Sequence, residues 1–211
     1  MGFKKRLVMQ CRKPRGMFGK WVAKGMNKAH SKMASWGLSH ISINPEDIIL
    51  DIGCGGGMNI YNFAPKINGG KVFGIDYSDV SVQMSKKLNK NFIESGVVEI
   101  QKASVSSLPF SENSFNLVTG FETYYFWPDL INDLKGILKV LRSGGKLLLV
   151  NEGFICDNEK LRKNYEKWSK LGNFPLHSPK EFQKYLEEAG FSEVIIHIEE
   201  NERYMAAIGK K

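Results

Sequence analysis

The stretch from Ile48 to Gly57, IILDIGCGGG, limits what this chain can fold into more than any other part of its sequence. Its apolar run follows the turn-forming residues 44–47 and predicts a strand that is covered on both faces, as in a parallel sheet. The glycines that follow let the backbone pass close to a nucleotide-like ligand, because a Cβ atom there would collide with it. We therefore expect an α/β fold with a ligand site at the end of this strand.

The spacing of these glycines distinguishes two classes of nucleotide site. The dinucleotide fingerprint places glycine at relative positions one, three and six. Here Met58 occupies the last of those positions, and the glycines fall at 53, 55, 56 and 57. Asp51 precedes the loop, where its carboxylate would repel a pyrophosphate but accept hydrogen bonds, directly or through water, from a ligand that carries an ammonium group. The pattern disfavours a dinucleotide.

A second predicted strand, which begins at Lys71, ends in the acid Asp76. A carboxylate in this position can accept hydrogen bonds from both hydroxyls of a ribose. Tyr77 and Ser78 follow at the entry to a helix, where Ser78 is a suitable N-cap. The alternative is that Asp76 only caps the end of its strand.

The string DIGCGGG resembles the first motif of class I S-adenosylmethionine-dependent methyltransferases, of the small-molecule, methyltransferase-domain-11-like type. Residues 103–110 and 115–120 resemble the third-strand and fourth-strand segments of that family, and residues 139–150 resemble its helix end, glycine turn and fifth strand. Ser104 stands where the family usually has Asp, so the adenine amino group would meet a hydroxyl or the backbone, and Val105 would offer its backbone N–H to the ring. The resemblance implies S-adenosylmethionine as cofactor and S-adenosylhomocysteine as product. It implies cofactor contacts from Asp51, Gly53, Cys54, Gly55, Gly57, Asp76, Tyr77, Ser104, Val105 and Phe121.

Strands and helices alternate from Asp47 onward, which predicts a parallel sheet with helices on both faces. The resemblance adds a Rossmann-like seven-stranded sheet with the order 3-2-1-4-5-7-6 and an antiparallel last strand. We place the strands near residues 48–52, 71–75, 97–102, 115–120, 145–150, 193–199 and 203–209. A helix over roughly 178–189 stops at Gly190. The methyltransferase domain would comprise residues 46–211, with an insertion on the substrate side at 153–177.

The net charge of +8 originates in the N-terminal segment. Residues 1–45 contain ten Lys and Arg residues and no acid, whereas the rest of the chain has 20 basic and 22 acidic residues. Apolar residues and lysines recur there at helical spacing on different faces. The apolar positions are Phe18, Trp21, Val22, Met26, Ala29 and Met33, and the lysines are Lys20, Lys24, Lys28 and Lys32. This pattern predicts an amphipathic helix that docks on the body as a basic lid, with a membrane-surface or nucleic-acid contact as the alternative.

Glu122 and Tyr124 are the candidate catalytic residues, because a carboxylate followed by four consecutive aromatic residues ends the fourth strand. A glutamate beside aromatic rings suits an amine or aromatic acceptor through charge pairing and cation–π contact. The alternative is that the aromatic residues pack the next helix and Glu122 caps it. Methyl transfer depends on orientation and exclusion of water more than on acid–base chemistry. If the acceptor must lose a proton, His30 and His177 are further candidate bases, and Glu152 is a second candidate carboxylate.

Three functions are open at the level of sequence. The leading one is methylation of a nitrogen, oxygen or sulfur atom of a small molecule. The second is an RNA or protein methyltransferase that binds an anionic macromolecule through the basic segment. No N-P-P-Y-type tetrad follows the fourth strand, which disfavours methylation of base amines in nucleic acids. The third is a non-catalytic cofactor-binding module.

The cysteines at 11, 54 and 156 are odd in number and lack C-x-x-C spacing, which indicates a reducing compartment rather than a disulfide framework or a zinc site. No apolar run is long enough to span a membrane, and the N-terminus lacks the apolar core of a secretion signal. We expect a cytoplasmic protein of one domain without a metal. The sequence leaves the oligomeric state open.

Overall fold

A seven-stranded sheet between two layers of helices organises the chain in a computed structural model, which describes residues 3–201 and 203–211. The side chains of residues 3–6, 23–24 and 26–29 are not among those described. The helices are α1 (Phe3–Arg12), α2 (Gly16–Ala29), α3 (Ser31–Leu38), α4 (Met58–Phe63), α5 (Asp79–Leu88), α6 (Lys90–Glu94), α7 (Leu130–Val140), α8 (Glu159–Gly172) and α9 (Pro179–Ala189). The strands are β1 (Ile48–Ile52), β2 (Lys71–Asp76), β3 (Val98–Lys102), β4 (Phe115–Phe121), β5 (Leu141–Asn151), β6 (Ser192–Ile198) and β7 (Met205–Lys210).

The strand order is β3-β2-β1-β4-β5-β7-β6, which confirms the predicted sheet. Strands β1 to β5 pair in parallel, and β7 runs antiparallel to both β5 and β6. The chain leaves β1 in one direction for β2 and returns on the other side for β4. At such a reversal the loops at the carboxyl ends diverge and leave a crevice.

Alternate residues of β1 point to opposite faces of the sheet and belong to two separate cores. Leu50 packs in a cluster with Leu134 of α7, whereas Ile49 packs with Phe63 of α4 and Met33 of α3. All five of these side chains are almost fully buried. An uninterrupted apolar strand is required at this position because both of its faces are covered.

The first four strands begin and end within one residue of the predicted positions, but β5 begins at Leu141 instead of 145. Its pairing with β4 shifts between Phe115–Leu141 and Leu117–Lys146, so the predicted glycine turn is a bulge inside one strand. Gly144 has a φ of +75° in this bulge. Leu141 is fully buried and pairs with β4 directly after α7 ends. The polar residues that follow Leu141 gave no indication that the strand begins there.

The N-terminal segment forms three helices rather than the one predicted helix. The break between α2 and α3 falls at His30. Val22 and Met33 are buried as predicted, but Trp21 is 68% exposed, so its assignment to the docked face is wrong. Lys20 and Lys32 are exposed as predicted. The predicted contributions of Met26, Ala29, Lys24 and Lys28 lie outside the described side chains.

The segment 153–177 contains α8, which packs against α1. A Cβ atom on Gly172 would lie 2.6 Å from Cγ1 of Val8, so glycine permits this close approach. The ring of Phe174 packs at a tilt against Tyr125 and edge-on against Phe126. In the part of the chain that the structure describes, no helix is both long and apolar enough to cross a membrane.

Candidate active site

A cavity of about 260 Å³ lies at the carboxyl ends of β1, β2 and β4, where the topology predicts a crevice. It collects residues from the glycine turn, from the ends of three strands and from the N-terminal helices. Most of the predicted cofactor residues line it: Gly53, Cys54, Gly55, Asp76, Tyr77, Ser104, Val105 and Phe121. The predicted acceptor residue Glu122 also lines it, so one cavity joins the two sets.

The glycines of the turn have different physical roles, although Gly53, Gly55 and Gly57 all have positive φ angles. A Cβ atom on Gly53 would lie 2.4 Å from Cγ2 of Thr123, and one on Gly57 would lie 2.2 Å from Oγ of Ser85. These two glycines therefore permit packing of protein against protein. At Gly55 a Cβ atom would meet only the carbonyl oxygen of Gly53, at 3.9 Å. Because Gly55 lines the cavity and Gly57 does not, Gly55 is the glycine that keeps ligand space open.

The carboxylate of Asp76 is oriented by two backbone donors. Gly55 donates its N–H to Oδ2 at 3.0 Å, and Ser78 donates its N–H to Oδ1 at 2.8 Å. Burial raises the pKa of Asp76, and these two bonds partly oppose that effect. Each carboxylate oxygen has a further acceptor position beyond the one in use. Asp76 is thus held in place by the glycine turn while it can still accept hydrogen bonds from a ligand.

Asp51 does not line the cavity and is 1% exposed. Thr119 donates its hydroxyl to Oδ1 at 2.8 Å, while Oδ2 is buried without a hydrogen-bond partner among the described residues. Burial raises the pKa of Asp51 to about 7, although the bond from Thr119 opposes this shift. Because this carboxylate is buried and does not line the cavity, its position favours the predicted contact through water over the predicted direct contact.

The wall opposite the glycine turn is formed by the segment that follows β3. Ala103, Ser104 and Val105 line the cavity. The Ser104 hydroxyl oxygen accepts the N–H of Ser106 at 3.3 Å, and the Ser104 carbonyl accepts the N–H of Ser107 at 3.1 Å. This tight turn holds an apolar side chain and a hydroxyl at the cavity wall.

Glu122 lies at the other end of the cavity, directly after β4, with a φ of +58°. Its Oε1 accepts the hydroxyl of Tyr125 at 2.7 Å and the backbone N–H of Glu152. A left-handed backbone conformation costs energy for a residue with a side chain. The two hydrogen bonds to Oε1 hold the carboxylate in a fixed orientation in spite of this cost. Both bonds fall on Oε1, which leaves Oε2 as the atom that can face a ligand.

Near the acceptor end of the cavity, the carboxylate of Glu152 interacts electrostatically with both Glu122 and His30, although Glu152 itself does not line the cavity. Burial raises the pKa of Glu122, and burial together with Glu122 raises the pKa of Glu152. Burial lowers the pKa of His30, although Glu152 opposes that shift. His30 lines the cavity beside the aromatic residues Phe126 and Trp127. Neighbouring carboxylates and a neutral imidazole make this end of the cavity suited to a group that carries a proton or a positive charge.

Tyr124 and His177 are not brought to the cavity. Tyr124 is 2% exposed and donates its hydroxyl to the carbonyl of Gly153 at 3.3 Å. Its ring packs edge-on against Phe182, and burial raises the pKa of its hydroxyl. His177 packs against Tyr124 and Tyr185. The structure therefore contradicts the prediction of Tyr124 as a catalytic residue, because it belongs to the core beneath α9.

The N-terminal segment covers the cavity through residues 11–15, which we call the strap. Cys11, Arg12 and Pro14 line the cavity. Tyr77 donates its hydroxyl to the carbonyl of Arg12, and the buried Ser78 donates its hydroxyl to the carbonyl of Pro14 at 2.9 Å. The two residues that follow Asp76 therefore fasten the strap.

Comparison with known proteins places this geometry in a family. Residues 50–149 match the family model of the methyltransferase domain. This match covers the glycine turn, Asp76 and the β4 end, and the sheet has the order that the family resemblance implied. The chain belongs to the class I S-adenosylmethionine-dependent methyltransferases.

Two curated relatives show how far the similarity of this methyltransferase extends. It is 28% identical over 145 residues to O-methyltransferase resE of Aspergillus sclerotiorum, covering 68% of this chain and 54% of that protein. It is 30% identical over 147 residues to 27-O-demethylrifamycin SV methyltransferase of Amycolatopsis mediterranei, covering 68% of this chain and 53% of that protein. The chain thus spans about half the length of these relatives.

A solved structure shows the shared fold. The crystal structure of a SAM dependent methyltransferase from Aquifex aeolicus superposes with a TM-score of 0.71 at 15% identity, covering 90% of this chain and 97% of that chain. At this identity the likeness concerns the fold.

Several cavity residues of the methyltransferase were missed by the sequence reasoning. The strap residues carry no motif, and their position depends on bonds to Tyr77 and Ser78, more than 60 residues away. Thr123 lines the cavity, and its Oγ1 is buried without a partner among the described residues. Its position directly after Glu122 was the only available signal.

Proposed function

We propose that this methyltransferase transfers a methyl group from S-adenosylmethionine to a small molecule, and that the acceptor atom is an amine nitrogen rather than oxygen or sulfur. The observation that carries the proposal is the single cavity with two chemically different ends. One end holds Gly55 and Asp76, and the other holds Glu122 beside aromatic rings. The strap covers the cavity, which favours a small acceptor over a folded macromolecule.

The cofactor end fits S-adenosylmethionine in three respects. Gly55 leaves open space where a side chain would stand. Asp76 has acceptor positions for the two ribose hydroxyls. Asp51 has a buried oxygen without a hydrogen-bond partner in the described part of the chain, which suits a water-mediated bond to an ammonium group. When bound, the cofactor supplies an electrophilic methyl group for in-line displacement.

The acceptor end would bind the amine and take up its proton. Glu122, held by Tyr125 and by the backbone of Glu152, would attract an ammonium group, and Phe126 and Trp127 would add cation–π contact. An amine must be unprotonated to attack a methyl group. Burial raises the pKa of Glu122, which makes its carboxylate a stronger base, and lowers the pKa of His30, which keeps that imidazole unprotonated. Either group is therefore available to accept the proton of the amine. The strap would exclude water during the step.

The test is a screen of small amines, alcohols, phenols and thiols with S-adenosylmethionine, in which formation of S-adenosylhomocysteine is measured. We expect turnover with an amine. Glu122→Gln should lower kcat/KM for that amine by about tenfold or more, which is about 1.4 kcal/mol, with unchanged cofactor affinity. Glu112→Gln, on an exposed loop, is the matched control. Methylation of RNA or protein in the absence of turnover with any small molecule would contradict the proposal.

We also propose a cytoplasmic location. Among the described residues, Cys11, Cys54 and Cys156 form no disulfide, and Cys54 and Cys156 are buried, as is usual in a reducing compartment. We expect the thiols to resist alkylation in cells but to become alkylated after denaturation without a reductant. This result would support a cytoplasmic location. Oxidised thiols in protein taken from the cell would argue against it.

A further inference from the structure

The outer face of α2 exposes large apolar side chains to solvent. Met17 is 88% exposed and Trp21 is 68% exposed. These positions are four residues apart, so they neighbour each other on one face of the helix. On the inner side, Val22 is buried, and a Cβ atom on Gly19 would lie 2.8 Å from the backbone of Pro14. The exposed pair is therefore not needed to attach α2 to the body.

Exposed cations precede this apolar pair in the sequence and lie between its two members. Lys20 lies between Met17 and Trp21 in the sequence and is exposed, as are Arg12 and Arg15 at the strap. A second groove beside the strap is lined by Met9, Gln10, Arg12, Lys13, Arg15 and Tyr77. Met9 is itself 46% exposed. Because residues 1–45 contain ten basic residues and no acid, the segment has no carboxylate of its own to neutralise these cations.

We propose that the strap and the exposed face of α2 dock on an anionic lipid bilayer. Trp21, Met17 and Met9 would enter the boundary between head groups and acyl chains, while Arg12, Arg15 and Lys20 would pair with lipid phosphates. Arg12 lines both the cavity and the basic groove, so docking would bring the cavity next to the bilayer surface. The enzyme would then meet acceptors that partition into the membrane interface.

The exposed apolar side chains favour a bilayer over a nucleic acid. A nucleic-acid surface would use the cations but would gain little from Met17, whose side chain has neither a hydrogen-bond donor nor an aromatic ring. A membrane interface uses both the cations and the apolar groups, and it favours Trp at the depth of the head groups. The proposal is independent of the acceptor's chemistry, since docking requires no turnover.

Vesicle flotation with the full chain tests the proposal. We expect the protein to float with vesicles of phosphatidylcholine containing 30% phosphatidylglycerol and not with pure phosphatidylcholine. Met17→Ser/Trp21→Ser should weaken this binding by about tenfold or more through loss of apolar insertion, and Arg15→Glu/Lys20→Glu should do so through loss of charge pairing. All four side chains are exposed, so circular dichroism should show unchanged folding.

Two variants elsewhere on the surface provide matched controls. Lys167→Glu/Lys170→Glu reverses the same amount of charge on α8, and Ile195→Ser removes an apolar side chain that is 51% exposed on β6. Both should bind vesicles like the unmodified chain. Equal binding to both vesicle types, no binding to either, or equal loss in the controls would overturn the proposal. Tight RNA binding in place of vesicle binding, unaffected by Met17→Ser/Trp21→Ser, would assign the face to a nucleic acid instead.

Discussion

At the scale of single residues, the site depends on which space each side chain fills and which space each glycine leaves open. Gly53 and Gly57 leave room for Thr123 and Ser85, whereas Gly55 leaves room in the cavity. Asp51 and Asp76 end neighbouring strands, but only Asp76 lines the cavity. Residues of one type in one motif therefore have distinct roles that substitution can separate.

Asp76→Ala should weaken S-adenosylmethionine binding by about tenfold or more, because two ribose hydroxyls lose an ionic acceptor. Isothermal titration calorimetry measures the change. Asp79→Ala is the control, since Asp79 is exposed and pairs with Lys102 at the surface. A folded Asp76→Ala protein with unchanged affinity, or a wild-type preference for NAD, would show that the assignment of Asp76 is wrong.

Gly55→Val should abolish cofactor binding while the fold persists, because the added side chain would project into the cavity. Gly96→Val is a matched control. Gly96 also has a positive φ, and its Cβ position is open, but it lies in a surface turn after α6. Both variants bear similar backbone strain. We therefore expect both to lose the same amount of thermal stability and only Gly55→Val to lose cofactor binding. Retained binding in Gly55→Val would refute its role.

At the scale of elements, the entry to α5 connects the cofactor end to the N-terminal segment. Ser78 caps α5 by accepting the N–H of Ser81, and it also donates to the carbonyl of Pro14. The turn at Ser78 thus orients Asp76 on one side and fastens the strap on the other. We expect the N-terminal helices to act as a lid whose closure depends on this junction.

Tyr77→Phe combined with Ser78→Ala should loosen the strap by removing both hydroxyl donors to it. Limited trypsin digestion should then cut faster after Arg12 and Arg15. Loss of the α5 cap should cost about 1 kcal/mol of global stability. Asp129→Ala, which removes the N-cap of α7 and leaves both strap bonds in place, therefore serves for comparison. Unchanged cleavage at the strap in the double variant would mean that packing of α1 on α8 alone holds the lid.

At the scale of the whole molecule, buried carboxylates oppose folding at neutral pH. The pKa values of Asp51, Asp76, Glu122 and Glu152 are all raised, chiefly by burial. A carboxyl group with a raised folded-state pKa binds its proton more tightly when folded. Its stabilising effect is therefore present at low pH and is lost as the pH rises through the folded pKa.

The ligand-free protein should accordingly lose stability between about pH 4 and pH 7 through Asp51, whose pKa rises from 3.8 to about 7. The difference corresponds to at most about 4 kcal/mol. Asp51→Asn should flatten this loss, and Thr119→Val should extend it to higher pH, because removal of the bond that favours the charged form raises the pKa of Asp51 further. Denaturant unfolding across this pH range is the measurement. An identical pH profile in Asp51→Asn would disprove the assignment.

The sequence by itself determined the alternation of strands and helices and, through its resemblance to a known family, the strand order and most of the expected cofactor end. The resemblance rests on local patterns: an apolar strand that ends in a glycine turn, and a second strand that ends in Asp76. Parallel strands of this topology bring their carboxyl ends to one edge of the sheet, so residues named from separate motifs meet in space. The family resemblance also located the departure at Ser104, and Ser104 does line the cavity.

Only the tertiary structure decided which members of these motifs face the ligand and what covers them. Tyr124 is in the core because α9 supplies Phe182 to pack against it, and Gly57 is outside the cavity because Ser85 of α5 fills the adjacent space. Trp21 is exposed because Val22 and Gly19 form the inner side of α2. Each outcome depends on contacts between residues far apart in the chain, and a single sequence carries no local pattern for such contacts.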